Sequence, residues 1–354
     1  MQTIIAKDYF IFFENKTYEN LNNFIEKSNY SSLFLLCDEN SNALCVPKVL
    51  SEIATDLKIE IIEIEAGEAL KNISTCQEVW SILTDYGADR KSLIINIGGG
   101  VITDLGGFVA ATFKRGIDFI NIPTTLLGMV DASIGGKNGV DLGNLKNQIG
   151  TITNPKMVLI DPTFLETLPK NQLLSGYAEI LKHGLIFDKK YWDNCKNFDF
   201  DNLEIISKLI HRSIEIKNEI VNQDPTENGI RKALNFGHTL GHAIESYFLE
   251  SENMLLHGEA IAIGMILETY LSKEKKLVSD LEYQEIKNII KSKFKTIYFE
   301  DYQIAALLDL LIHDKKNEYG KVQFVLLESI GKVILNQNCD TATMYEAFRD
   351  YKLD

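Results

Sequence analysis

The chain reads as an α/β protein, with a Rossmann-like parallel sheet domain followed by a mostly α-helical domain. Three observations predict this. Up to about residue 160, short apolar runs bounded by turn residues alternate with helical spacings, the order of a largely parallel sheet with crossover helices. One of those runs, "SLIINIGGG", leads straight through three glycines into a helical segment. Such a turn lets a phosphate approach bare backbone at a helix N-terminus. Beyond this region the apolar residues recur at helical spacing. The first domain is therefore set at residues 1–161 and the second at 162–354.

Each element follows from its local pattern. "MQTIIAKDYFIFF" reads as the first strand; Lys7 and Asp8 interrupt it, and no small-residue cleavage site follows, so it is not a secretory leader. "SLFLLCDEN" is a buried strand ending at Asp38, and "KIEIIEIEAGE" alternates as a second strand. "TCQEVWSILTDYGAD" has helical spacing, "SLIINIG" is a strand, "VITDLGGFVAATFKRG" is a helix and "IDFINIPTT" is a strand. "PKMVLIDPTFLETLP" holds the last strand of the sheet, near 158–161. The helices of the second domain include "QLLSGYAEILKHGLI", "LEIISKLIHRSIEIKNEIV" and "GEAIAIGMILETYLSKEKK", with one late hairpin, "VQFVLLESIGKVIL".

Composition narrows the function. A formal charge of −14 excludes a nucleic-acid partner, because a phosphate backbone requires a basic footprint. A small anion remains suitable if cations gather in one pocket. No apolar run is long enough to span a membrane. Five scattered cysteines form no C-x-x-C and no even framework, consistent with reduced thiols in a cytoplasmic protein.

Chemistry-bearing residues cluster in four places. The turn at Gly98, Gly99 and Gly100 fits a nucleotide, although it is neither G-x-G-x-x-G nor a Walker motif. Asp38, Asn40, Glu68 and Lys71 stand at strand ends, where a ribose is commonly held. Residues 124–150 combine many glycines with Asp131, Lys137, Lys146 and Asn147, and read as a binding loop. In "GYAEILKHG", Glu179 sits among apolar residues with Lys182 three positions on. A buried carboxylate needs a partner, and a metal ion is a good one. In "KALNFGHTLGHAIES", His238 and His242 lie one helical turn apart on one face, and "LLHGEA" adds His257. The pair could be two ligands, one ligand and one acid/base, or two ordinary polar residues. One carboxylate and two or three imidazoles suit a zinc-like ion with an open position. No H-E-x-x-H and no G-x-S-x-G is present.

Taken together and in order, "GGGVITDLGGFVAATFKRG", "PTTLLGMVDASIGGKNGVDLGNLKNQIG", "GYAEILKHG", "NGIRKALNFGHTLGHAIE", "LHGEAIAIGM" and "DKKN" resemble the 3-dehydroquinate synthase family. The motifs cover most of residues 38–327. Asn138 stands where a threonine is usual and Leu145 where a glycine is common, and neither removes a charged group. The resemblance implies an NAD-dependent, zinc- or cobalt-dependent lyase acting on 3-deoxy-D-arabino-heptulosonate 7-phosphate, a small anionic phosphorylated sugar acid. In that reaction the C5 hydroxyl is oxidised and phosphate leaves by β-elimination. The ketone is then reduced again, the ring opens, and an intramolecular aldol step closes the carbocycle.

The resemblance also implies roles. Glu179, His238 and His257 hold the metal, while His242 faces the phosphate and moves protons, and Glu227 accepts one. Lys137, Asn147, His242 and Lys315 or Lys316 bind phosphate, with Lys182 nearby. Lys217 and Arg231 hold the carboxylate, and Asp131 and Asn235 contact the rest of the substrate. NAD falls to Asp38, Asn40, Glu68, Lys71, Gly98, Gly99, Gly100, Asp104, Thr124, Thr125 and Lys146. Arg115 reaches the phosphate site of the neighbouring subunit in a homodimer; by itself, Lys114–Arg115 reads only as a basic pair closing a helix. A cyclase making an inosose or valiolone would leave Lys217 and Arg231 without a carboxylate to hold. A metal-dependent alcohol or glycerol dehydrogenase would release NADH and need no phosphate-binding lysines. A catalytically dead nucleotide-binding protein would not retain the full set of candidate ligands.

Overall fold

The computed structural model describes residues 1–352 except 15, 144, 199, 201, 250, 252–253 and 313–321. The chain forms two compact units, Met1–Pro169 with Leu203–Asn218, and Lys170–Asn202 with Glu219–Asp354.

In the first unit the elements run β1 (Ile4–Ile5), β2 (Phe10–Phe13), α1 (Lys16–Lys27), β3 (Ser32–Asp38), α2 (Glu39–Leu44), α3 (Val46–Glu52), β4 (Lys58–Ile64) and α4 (Ile73–Asp85). They continue as β5 (Ser92–Gly98), α5 (Gly100–Thr112), β6 (Asp118–Pro123), β7 (Lys137–Leu142), β8 (Leu145–Ile152) and β9 (Met157–Ile160). Seven strands form one sheet in the order β1-β2-β9-β6-β5-β3-β4. All neighbours are parallel except β1 and β2. The α/β fold class read from the sequence holds.

Strand position explains strand pattern. Central β5 is buried along its whole length, as its nearly unbroken apolar run requires between two covered faces. At the sheet edge, β4 is mostly exposed or half-buried, which its alternation anticipates. Ile102, Leu105 and Val109 of α5 pack with Cys76 and Val79 of α4 and with Phe34, Ile94 and Phe119 of the strands. The segment read as a binding loop at 124–150 is more regular than expected. It contains a helical turn, Gly128–Ala132, and then β7 and β8 as an antiparallel hairpin. Its glycines and polar residues hid the strand alternation.

The second unit begins with α6 (Lys170–Phe187) and α7 (Lys189–Cys195). Helix α8 (Leu203–Gln223) contributes its first part to the sheet unit and its last residues to this one. Then come α9 (His238–Phe248), α10 (His257–Glu274), α11 (Asp280–Lys293), α12 (Asp301–Ile312), the hairpin β10 (Phe324–Ser329) and β11 (Lys332–Gln337), and α13 (Thr341–Lys352). Helix α10 is apolar nearly all round, which suits a central helix. It packs against α6, α9, α11, α13 and β10. Among the described residues, no helix is long and apolar enough to cross a membrane. All five cysteines are unpaired, and four are buried.

Candidate active site and metal centre

Three helices of the second unit deliver a carboxylate and two imidazoles to one point. Glu179 on α6 is fully buried. Its Oε1 lies 3.6 Å from His238 Nε2 and 3.6 Å from His257 Nε2. Its Oε2 pairs with the Lys182 ammonium, also fully buried. Both rings are oriented from behind. His238 Nδ1 lies 3.1 Å from the Phe236 carbonyl, and His257 Nδ1 lies 3.3 Å from Glu245 Oε2. Carbonyl and carboxylate oxygens only accept, so each ring keeps its proton on Nδ1 and presents Nε2 to Glu179. The three ligand atoms fall within 4.8 Å of one another. One carboxylate oxygen and two imidazole nitrogens match the protein donor set of a catalytic zinc-like ion.

The electrostatics agree with that fit. Burial opposes a charge on His257, but Glu245 and Glu179 outweigh it and push its pKa up to about 10. The pocket therefore favours positive charge, which a divalent ion supplies while displacing protons.

His242, one turn along α9, is half-buried, with its ring centroid 5.0 Å from that of His238. It forms a second group with Glu245 and His257, their ligand atoms again within 4.8 Å. The two groups overlap at His257, so spacing alone could not assign the pair.

Close helix packing makes this convergence achievable. A Cβ on Gly264 would lie 2.0 Å from the Gly237 carbonyl oxygen, so α9 and α10 approach through bare backbone. A Cβ on Gly258 would lie 2.0 Å from the Ser175 carbonyl oxygen, which docks the start of α10 on α6 one turn before Glu179. Gly258 N–H also donates to Ser175 Oγ at 3.0 Å. Gly237 precedes α9 with a left-handed φ of 77° and offers no side-chain cap. Glu268 of α10 supplies the cap instead, accepting from Gly237 N at 2.7 Å and Leu240 N at 3.1 Å. That fixes the turn carrying His238.

A second cluster in this unit surrounds residues 224–235. Asp224 accepts from the backbone N–H groups of Asn228, Gly229 and Arg231 at 3.0, 2.7 and 3.1 Å. Arg231 is buried, and its Nη1 donates to the Pro225 carbonyl at 2.7 Å. Glu227 adopts a left-handed φ of 61° and accepts from Asn235 Nδ2 at 2.6 Å. The predicted Glu227, Arg231 and Asn235 thus occur together.

The remaining predicted residues belong to the first unit or lie outside the described residues. Gly99 is the N-cap of α5 and Gly100 its first residue, Thr124 N–H donates to the Gly98 carbonyl at 2.9 Å, and Thr125 Oγ1 accepts from Gly128 N at 3.1 Å. Asp38 caps α2 through Ser41 N at 2.7 Å, with Asn40 exposed beside it. Lys71 Nζ lies 2.7 Å from both Asp104 Oδ2 and Asn147 Oδ1, and Lys146 pairs with Glu68 at 3.1 Å. Burial disfavours the Lys71 charge, but Asp104 and Glu68 more than offset this and raise its pKa. Burial likewise raises the Asp104 carboxyl, against the pull of Lys71. Lys217 on α8 pairs with Asp131 at 2.7 Å. Lys137 is exposed at the start of β7. Arg115 is exposed after α5 with a left-handed φ of 70°, next to Lys114 with φ 49°. Lys315 and Lys316 lie outside the described residues.

Sequence reasoning missed Glu245, Glu268 and Ser175, which support the centre, and His183, whose ligand atom lies within 4.8 Å of a Glu179 oxygen. Glu245 had a signal, since it follows His238 by seven positions and so shares its helical face. Glu268 and Ser175 had none, because their contacts cross between helices.

Fold and site define a two-unit α/β and helical protein of the class that contains the sugar-phosphate cyclases. A solved 2-deoxy-scyllo-inosose synthase, complexed with carbaglucose-6-phosphate, NAD+ and Co2+, superposes with a TM-score of 0.86 at 25% identity, covering 99% of both chains. The 2-epi-5-epi-valiolone synthase of Streptomyces hygroscopicus, with NAD+ and Zn2+ bound, gives 0.84 at 26% identity, over 99% of this chain and 98% of that one. Within the class, this chain belongs to the 3-dehydroquinate synthase family. Residues 61–175 match the model of that family's N-terminal domain, and residues 176–317 match the C-terminal one. The 3-dehydroquinate synthase of Parabacteroides distasonis is 41% identical over 334 residues, 94% of each chain.

Proposed function

We propose that this chain converts 3-deoxy-D-arabino-heptulosonate 7-phosphate to 3-dehydroquinate and phosphate in the cytoplasm. The observation that carries the proposal is the placement of two Nε2 atoms at 3.6 Å from one oxygen of buried Glu179, in a chain of this family. When bound, a divalent ion held by Glu179, His238 and His257 supplies Lewis acidity, and NAD+ supplies reversible hydride acceptance.

The chain's own residues do the rest. Lys182, set against Glu179 Oε2, stands near the phosphate-binding residues and serves the catalysis. His242, next to His238, moves protons at the phosphate, and Lys137, Asn147 and either Lys315 or Lys316 bind that group. Glu227, oriented by Asn235, accepts a proton. Arg231, its guanidinium fixed by Pro225, presents a planar fork to the substrate carboxylate together with Lys217. Asp131 contacts the hydroxyls. Lys71, Asp104, Glu68, Lys146, Asp38, Asn40, Thr124, Thr125 and the glycine turn hold NAD+.

Arg115 acts across a homodimer. Two successive left-handed non-glycine residues are costly, and Arg90 holds their backbone by donating to the Lys114 carbonyl at 3.2 and 3.1 Å. The test of the whole reading is to supply the heptulosonate phosphate with catalytic NAD+ and follow phosphate and NADH together. Many turnovers of phosphate without net NADH are expected. Stoichiometric NADH would mean a dehydrogenase, and neither product would mean another substrate.

A further inference from the structure

We propose that Glu245 is a positioning residue of the metal centre, fixing the tautomer and ring plane of His257 so that Nε2 faces Glu179 and His238. The proposal rests on the assignment of Glu179, His238 and His257 as ligands. Its ground is an asymmetry between the two imidazoles. Each needs a partner on Nδ1 to keep its Nε2 lone pair directed at the metal. His238 uses the carbonyl of Phe236, two residues back in its own chain segment. His257 is the first residue of α10, and Glu245 of the preceding helix accepts from its Nδ1 at 3.3 Å. Only 3% of Glu245 is exposed, so its carboxyl group is held against the ring and away from water. A carboxylate in that place makes the imidazole a stronger donor to a metal than a carbonyl does.

The same two helices are braced in the opposite direction by Glu268, which starts on α10 and caps the turn carrying His238 on α9. Each helix thus secures the ligand carried by the other. Glu245 is not itself a ligand of the same ion. His257 Nδ1 keeps its proton for Glu245, and a neutral imidazole offers only its other nitrogen to a metal.

The test measures metal affinity directly, by competition of purified apoprotein with a chromogenic chelator for Zn2+ and for Co2+. Wild type, Glu245→Gln, Glu245→Ala and Glu179→Ala are compared, with far-ultraviolet dichroism and apoprotein melting to confirm folding. Wild type is expected to bind one ion. Glu245→Gln keeps an accepting oxygen but loses the charge, and should bind about tenfold more weakly; Glu245→Ala should approach a 100-fold loss. Folded Glu245 variants that bind within twofold of wild type would overturn the proposal. A wild type binding two ions, with one lost in both Glu245 variants, would also overturn it by making Glu245 a ligand. Glu179→Ala keeps the two readings apart, because undiminished affinity in that variant would remove the metal assignment itself, whatever happens at Glu245.

Discussion

Gly258→Ala should disable the metal centre without touching a ligand. An added Cβ would lie 2.0 Å from the Ser175 carbonyl oxygen and 2.5 Å from its Cα, both backbone atoms that cannot swing aside. Ordinary contact begins at 3.4 Å, so the first turn of α10 must retreat by about 1 Å or more. That turn carries His257, and Ser175 lies one turn before Glu179 on α6. Metal–ligand distances tolerate only about ±0.2 Å, so two ligands would be driven apart by several times that tolerance. The overpacking should destabilise the fold by about 1–3 kcal/mol, and a misplacement of this size commonly lowers turnover by about 100-fold. Chelator competition gives the affinity, phosphate release gives turnover, and Ser175→Ala controls for the lost Gly258–Ser175 hydrogen bond. A folded Gly258→Ala enzyme with metal affinity and turnover within threefold of wild type would refute the reasoning.

Three further outcomes are expected. Glu179→Ala, His238→Ala and His257→Ala should each lose bound metal, whereas His242→Ala should keep it and lose turnover; elemental analysis decides, and metal loss from the His242 variant would make that residue a ligand. A hydrogen bond to a charged group contributes roughly 1.5–3 kcal/mol, so Arg231→Ala should weaken substrate binding about 10- to 150-fold and leave NAD+ affinity nearly unchanged by calorimetry. Burial raises the Asp161 carboxyl, but hydrogen bonds from Lys48 and Thr163 outweigh it and hold its pKa below the usual value. Its stabilisation is then complete above the unfolded value of about 4 and is lost as pH falls through the lower folded value. Asp161→Asn should therefore lower the melting point near neutrality, and a melting-point gap that failed to shrink as pH falls below the usual carboxylate range would contradict the assignment.

Much of the fold was legible because burial leaves simple patterns. The unbroken run of β5 and the alternation of β4 gave both strands and their places, central and edge. The hairpin β7–β8 was not legible, since three of its apolar residues, Leu142, Leu145 and Ile152, point to solvent and its remaining positions are largely polar or glycine. A carboxylate and two or three imidazoles were readable as one metal site, but the division of roles between His238 and His242 came from the family resemblance. Spacing put His238 and His242 on one face and could not say which nitrogen meets Glu179. That choice depends on Phe236 and Glu245 behind the rings. Glycines at 237, 241, 258 and 264 look like ordinary interruptions until the helix crossings they permit are seen.

Helix α8 has a consequence for the order in which the chain is made. Its residues 203–218 complete the sheet unit long after the sheet itself has been synthesised. His211 packs at a tilt against Phe13 with ring centroids 4.7 Å apart and contacts the Gln2 carbonyl at 3.0 Å, and Asn218 donates to the Ile5 carbonyl at 3.1 Å. At ~5–20 residues per second, the N-terminal strands wait roughly 10–40 s for these partners to leave the ribosome. Until they arrive, the Gln2 and Ile5 carbonyls at the β1 edge lack their α8 partners, and an uncovered strand edge is a template for association with other chains. Slower translation between the last strand of the sheet and the emergence of residue 218 therefore lengthens the period in which this border lacks its partners.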